Sequence, residues 1–270
     1  MCNTSNEISE INFEDFRNQN GIIFWWASEL MLMLGYEDMT SFRKVIDKAT
    51  KAFISLGIDH YENIILTERE IDGQRMSDFK LTRFACYITA MNANPQKVEV
   101  ARMQAYFAMQ ARAFEVYVQN NNDIDRLIIR DEIKEGNKSL SSAAYNAGVV
   151  DFAKFNNAGY RGMYNMMNYQ LAKKRNCDKG KLFETMGRTE LAANLFRITQ
   201  TEERIKSKGI QGQEALERTH FDVGREVRKI VIENTGKTPE SLPQEKEIPN
   251  IKKELKVGFK EMKKLDKKKK

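Results

Sequence analysis

Apolar side chains recur at helical spacing from Val98 to Val118. Val100, Met103, Phe107, Ala111, Phe114 and Val118 follow one another at intervals of three and four, which lines one face of a helix roughly six turns long. Tyr106, Gln110, Ala113 and Tyr117 form a second row, and Glu99, Arg102, Arg112 and Glu115 fall elsewhere around the cylinder. Pro95 fixes its own φ and pushes Asn94 out of the helical region, so the helix is expected to start at or just after Pro95. With the apolar run before it, the stretch from Asp78 to Val118 is a helix, a turn and a helix.

Other segments follow the same logic. Asn12 to Arg17 and Gly21 to Trp26 are expected to pair as a hairpin across residues 18–20. A helix from Ala27 to Leu34 should stop at Gly35. Ser41 is placed to cap a helix from Phe42 to Ser55, with Phe42, Val45, Ile46, Ala49 and Phe53 inward. Asn63 to Ile71 and Arg75 to Phe79 flank an Asp72-Gly73 corner, a strong hairpin signal; Arg69, Arg75 and Lys80 would give such an arm charge for a groove.

Past Val118 the polar run QNNNDIDR precedes helices over 125–134, 139–146 and 151–157, the last two each followed by a glycine, Gly148 and Gly159. Thr189 to Lys206 carries Leu191, Leu195, Ile198 and Ile205 at helical spacing, with Phe196 widening the stripe and Asn194, Arg197, Gln200 and Thr201 expected on a solvent face. Asp222 to Glu233 buries Val223, Val227, Ile230 and Val231 and sets Arg225, Arg228 and Lys229 on the other side; Gly236 and Pro239 end it. The pattern predicts a mainly α-helical α+β protein, a helical core with short β-hairpins in its N-terminal half. The divisions are an α+β domain over 1–120, a helical domain over 121–236, a linker over 237–250 and a lysine-rich tail over 251–270.

The tail changes the meaning of the charge. The net +6 of the 270 residues suggests nucleic acid, yet residues 251–270 hold ten lysines against Glu254, Glu261 and Asp266. That local +7 leaves the other 250 residues at −1. The tail is either a solubilising disordered end or a tether to phosphates or a partner. No run approaches the roughly 20 apolar residues that span a bilayer, and the polar, acidic start is unlike a signal peptide. Cys2, Cys86 and Cys177 show no metal-ligand spacing and fit a reducing compartment. A cytoplasmic protein without membrane contact is expected.

Walker, G-x-S-x-G, H-E-x-x-H and dinucleotide signatures are absent. His60 and His220 are the only histidines; with Asp59 and Asp222 they could form a metal-dependent nuclease site, but structural hydrogen bonding is the expected role. No cofactor and no metal is expected. The nucleic-acid candidates are Arg83, Arg102 and Arg112 in the helix–turn–helix stretch, Tyr160, Arg161 and Tyr164 leading into Lys173, Lys174 and Arg175, and Arg225, Arg228 and Lys229. Aromatic faces among cations suit stacking of unpaired bases; the alternative is that the tyrosines pack inside and the basic run is a solvated turn.

LTRFACYITAMNANPQK followed by A-x-x-Q-A-Y-F-A-x-Q-A-R-x-x-E resembles the DNA-damage-inducible protein D family of bacteria and prophages. The likeness resumes at NNAGYRGMYN, MGRTELAANLFRITQTEE and HFDVGREVR, covering about Phe24 to Pro243. The first half, through W-x-A-x-E-L-x-x-x-LGY at Trp25 to Tyr36, looks like the BRO amino-terminal domain, with Ser28 where family members usually carry Arg. The resemblance implies an SOS or prophage-linked role that is not catalytic: binding DNA, single-stranded or duplex, or restraining a recombinase filament on single strands. A nuclease using His60 and His220, and an antirepressor or anti-defence module acting by protein contact, are the alternatives. The long apolar helices are consistent with a homodimer.

Overall fold

The computed structural model describes residues 12–71, 73–110 and 122–267. The chain is divided into two units: one comprises Met1–Asn121 with Lys253–Lys270, and the other Asn122–Lys252. The architecture is α+β and mainly helical, as the pattern predicts.

In the first unit β1 (Asn18–Asn20) and β2 (Ile22–Trp26) form a hairpin about Gly21. The predicted partner strand over Asn12 to Arg17 is instead a 3-10 turn, Phe13–Phe16, capped by the Asn12 side chain. This turn drops Phe13 into the core, where its ring stacks on Trp25 at 4.4 Å and its carbonyl accepts from the Trp25 indole at 2.8 Å. A strand there would have pointed Phe13 and Phe16 to opposite faces. Next come α1 (Ala27–Met33), α2 (Met39–Leu56), β3 (Ile64–Ile71) and β4 (Gln74–Leu81). The sheet is antiparallel in the order β1-β2-β4-β3.

Asp38, not Ser41, caps α2: its carboxylate accepts the Ser41 amide at 2.7 Å, and the helix starts three residues earlier than predicted. α1 has no side-chain cap of its own at Trp26. The buried Asp78 carboxylate on β4 takes that role, accepting the Ser28 amide at 3.2 Å and the Ser28 hydroxyl at 2.7 Å. Ser28 therefore ties helix to sheet. A guanidinium still reaches this spot, because Arg69 of β3 donates to the Ser28 hydroxyl and to Glu29 and lies over Trp26.

α3 (Arg83–Asn92) and α4 (Val98–Gln110) are the predicted helix–turn–helix, with Val100, Met103 and Phe107 buried. The predicted continuation through Ala111, Phe114 and Val118 lies outside the described residues.

The second unit opens with α5 (Asn122–Asn146), one helix where two were predicted over 125–134 and 139–146. Gly136 does not break it: it faces Ile198 and Leu195, so the missing side chain admits a neighbouring helix. α6 (Phe152–Tyr164) likewise runs through Gly159, where a stop was predicted. α7 (Asn168–Lys174), α8 (Arg188–Lys208) and α9 (Gln213–Thr235) complete the helices, with α6 against α9 and α5 against α8.

The predicted linker over 237–250 is part of this fold. The guanidinium of Arg126, fully buried in α5, donates to the carbonyls of Met186 and Lys246, each at 2.8 Å, while Gln244 bridges to Met186. The predicted tail is α10 (Ile248–Lys267), whose residues from Lys253 belong to the first unit. There Leu255 and Met262 are buried and Phe259 meets Phe84 edge-on at 5.1 Å. Apolar residues at 251, 255, 259 and 262 make this a packed amphipathic helix despite the ten lysines of residues 251–270.

α6 and α9 approach to backbone contact through two glycines. A Cβ on Gly162 would overlap the Phe221 carbonyl oxygen, and one on Gly224 would lie 2.7 Å from the Gly159 carbonyl oxygen. Gly162→Ala should therefore destabilise the protein by on the order of 3 kcal/mol in chemical denaturation, the upper range for overpacking. Gly180→Ala, where nothing lies within 4 Å of the added Cβ, should stay within about 0.5 kcal/mol. Equal effects from the two substitutions would refute the close-packing account.

Candidate nucleic-acid interface

The predicted site residues separate into buried and exposed sets. Arg83 is 4% exposed. Its guanidinium pairs with Glu14, donates through Nε to Asp266 at 2.7 Å, and lies 4.7 Å from the Trp25 ring centre. Burial alone would lower its pKa, but the two carboxylates outweigh that and hold it above the ordinary value. It therefore holds α10 and the Phe13 turn on α3, and it is not free for a phosphate. Arg102 is exposed on α4 without an ion pair among the described residues, and Arg112 lies outside them.

Tyr160 and Tyr164 are not a stacking platform. Both are buried, 9% and 0% exposed, with their rings stacked at 5.8 Å beneath α8 and α9. Helical spacing puts them on the inward side of α6, next to Phe155 and Met163. Arg175 is buried as well, donating to Glu190 at 2.8 Å and to the Pro239 carbonyl at 3.2 Å. Arg228 is held by a two-pronged contact with Glu240 and by the Met163 carbonyl.

Tyr160, Tyr164 and Arg175 join a polar network that the sequence pattern had assigned to a solvent face. Glu190, Asn194, Arg197 and Thr201 of α8 are all buried, on the side that also carries Leu191 and Ile198. The Asn194 amide donates to the Tyr164 hydroxyl at 2.6 Å, which donates to Glu190 at 2.8 Å. Arg197 donates to the Asn194 side-chain oxygen and meets His220 Nε2, and it lies 5.3 Å from the Tyr160 ring centre. The spacing 190, 194, 197, 201 already marks one helix face, so this side was legible; the polarity of its residues hid it. Phe196 and Ile230, expected inside, are 48% and 46% exposed.

His220 Nδ1 lies 3.0 Å from the Phe155 carbonyl, which only accepts, so Nδ1 carries the proton and Nε2 accepts from Arg197. Burial, then the Arg197 charge, pushes the His220 pKa well below its usual value. Both ring nitrogens are thus engaged, and Asp222 turns away to Arg225 at 3.3 Å. His60 belongs to the first unit, half-buried with its ring 4.0 Å from Tyr61, and Asp59 accepts the Tyr61 amide. Among the described residues no group of three or more His, Cys, Asp and Glu side chains could hold a metal ion. His220 thus makes the hydrogen bonds expected of a structural histidine, one through each ring nitrogen.

Of the predicted site residues in the second unit, Arg161, Lys173, Lys174, Arg225 and Lys229 are exposed. Arg161 of α6 and Arg225 of α9 share one half-buried ring, Phe221, with guanidinium carbons 5.8 and 6.0 Å from its centre. Lys173 and Lys174 end α7, where they answer its carbonyl terminus. Lys229 lies 3.8 Å from Glu233.

A further row of cations, unpaired among the described residues, was predicted only as tail charge. Lys253, Lys256, Lys260, Lys263 and Lys264 are exposed along α10, and none makes an ion pair among the described residues. Their spacing of three and four sets them on one side, over about 16 Å at 1.5 Å per residue. Buried Leu255 and Met262 hold the opposite side in the first unit. The predicted hairpin arm offers less: Arg69 is bound to Glu29, and Lys80 lies over Phe24 and Trp26.

These features define a mainly helical two-unit protein with a fixed lysine row on one unit and a buried polar network in the other. No helix among the described residues is long and apolar enough to cross a membrane. Residues 120–252 match the family model of the DinD C-terminal domain. The chain is 40% identical over 248 residues to the DNA damage-inducible protein D of Escherichia coli (strain K12), covering 86% of this chain and 90% of that protein. It belongs to the DNA damage-inducible protein D family.

The buried neutral imidazole gives the fold a pH dependence of known sign. Its folded pKa is depressed, so His220 stabilises the folded state above the unfolded value of about 6.5 and loses that contribution as pH falls. Denaturation midpoints measured from pH 7.5 downward should show a decline of up to about 1.4 kcal/mol per pH unit from this group. His220→Gln should be less stable at pH 7.5 and lack this component of the slope. A substitution that leaves the pH profile unchanged would show that His220 is not the titrating group.

Proposed function

We propose that this member of a DNA damage-inducible family acts by binding DNA, without catalysis, at the strand exposed when DNA is damaged, and that it thereby restrains recombinase filaments on single strands. The lysine row of α10 carries this reading: five cations without carboxylate partners among the described residues, held on one side by a packed helix. An unpaired surface cation gains little from the protein itself and most from a polyanion, whose condensed counterions it releases. A disordered lysine tail would lose conformational freedom on binding, whereas the row on α10 is already ordered. The Arg161–Phe221–Arg225 group adds an aromatic face flanked by guanidinium groups in the second unit.

Lys253, Lys256 and Lys260 changed together to Gln should weaken single-strand binding at low salt. The log–log salt slope should fall by roughly 2, since each phosphate contact on a single strand contributes about 0.7. The fold should be kept, because all three are exposed. Labelled DNA titrated at several salt concentrations gives the slope, and with Mg²⁺ or Mn²⁺ added it should remain uncut. An unchanged slope would remove the lysine row from the interface; metal-dependent cleavage would favour a nuclease.

A further inference from the structure

A groove of about 900 Å³ opens in the first unit beside the lysine row. One wall is the β1–β2 hairpin, with Ile22 42% exposed; the floor is Phe84; the other wall is α10, with Phe259 and Met262. The volume lies in the range of small-ligand sites, which combine apolar walls with a few polar groups. Two polar groups line it without a hydrogen bond among the described residues, Gln19 and Glu62. Asp266 also lines it, but its charge is answered by Arg83.

We infer that this groove receives an unstacked nucleobase from a single strand whose phosphates run along the α10 lysines. This rests on the DNA-binding reading of α10 and gives it a base-contacting element. Lys263 belongs to both features: it lines the groove, its ammonium lies 5.8 Å from the Phe259 ring centre, and it is part of the row. A strand held by Lys256 and Lys260 thus passes a flat aromatic ring beside an apolar recess. A base entering there stacks on Phe259, buries its faces against Ile22 and Met262, and finds in Gln19 and Glu62 a donor and an acceptor for its edge. Charge complementarity favours a nucleic acid over an apolar peptide, which would gain nothing from five neighbouring cations.

The test compares a labelled 20-nucleotide single strand with an abasic strand of the same length, by fluorescence anisotropy at fixed salt. The natural strand should bind on the order of tenfold more tightly, the typical loss when one stacked base is removed. Phe259→Leu keeps an apolar contact with Phe84 but removes the flat face, and should bring this ratio towards one without changing abasic-strand affinity. Ile22→Ala, at an exposed position on the opposite wall, gives the same test if Phe259→Leu does not fold. Equal binding of the two strands by the unaltered protein, or a ratio unmoved by a folded variant, would overturn the base site while leaving backbone binding by α10 intact. Failure of both strands to bind would overturn the DNA-binding reading, and the base site with it.

Discussion

The second unit depends on the approach of α6 and α9 to backbone distance at Gly162 and Gly224. Close approach leaves no room for side chains at the crossing, so bulk is displaced to either side: Tyr160 and Tyr164 inward, Arg161 and Phe221 outward. It also brings the Phe155 carbonyl to His220, fixing the tautomer that lets His220 accept from Arg197. Arg197 is a buried guanidinium whose hydrogen-bond partners are an imidazole and an amide oxygen, and burial lowers its pKa. Such a group persists only where neighbouring dipoles and aromatic faces replace water, as Asn194, His220 and Tyr160 do here. Helix packing and the polar network are thus one constraint.

In the first unit the corresponding fixture is ionic. Arg83 gathers Glu14 from near the start of the chain and Asp266 from near its end onto the first turn of α3, over the ring of Trp25. Removing one member of such a buried set leaves an uncompensated charge, which is more damaging than losing a surface pair. A basic residue beside aromatic rings is therefore ambiguous in sequence: Arg83 is structural, whereas Arg161 presents its charge at the surface.

Periodicity exposed most of the helices and the β3–β4 hairpin, and it failed where polar residues occupy an inward face. Asn194, Arg197 and Thr201 sit at core spacing but are hydrophilic, so amphipathic logic turned that side of α8 outward. Tyr160 and Tyr164 failed for the opposite reason: tyrosine suits both a core and a stacking surface, and only the glycine-mediated approach of α9 decides between them. In α10, net charge masked the apolar positions 255, 259 and 262, which alone distinguish a packed helix from a solvated tail. The spacing of its lysines was legible; their fixed presentation required the packing.

The first unit is closed by residues from Lys253 onward, while the second is built from one uninterrupted stretch. A ribosome therefore releases every part of the second unit before the first can acquire α10. Until α10 has been made, Arg83 lacks Asp266, and Phe84 lacks the edge of Phe259. The N-terminal unit, made first, is the last to be completed, so a truncated nascent product would carry a finished second unit beside an unsealed first one, a natural substrate for chaperones and proteases.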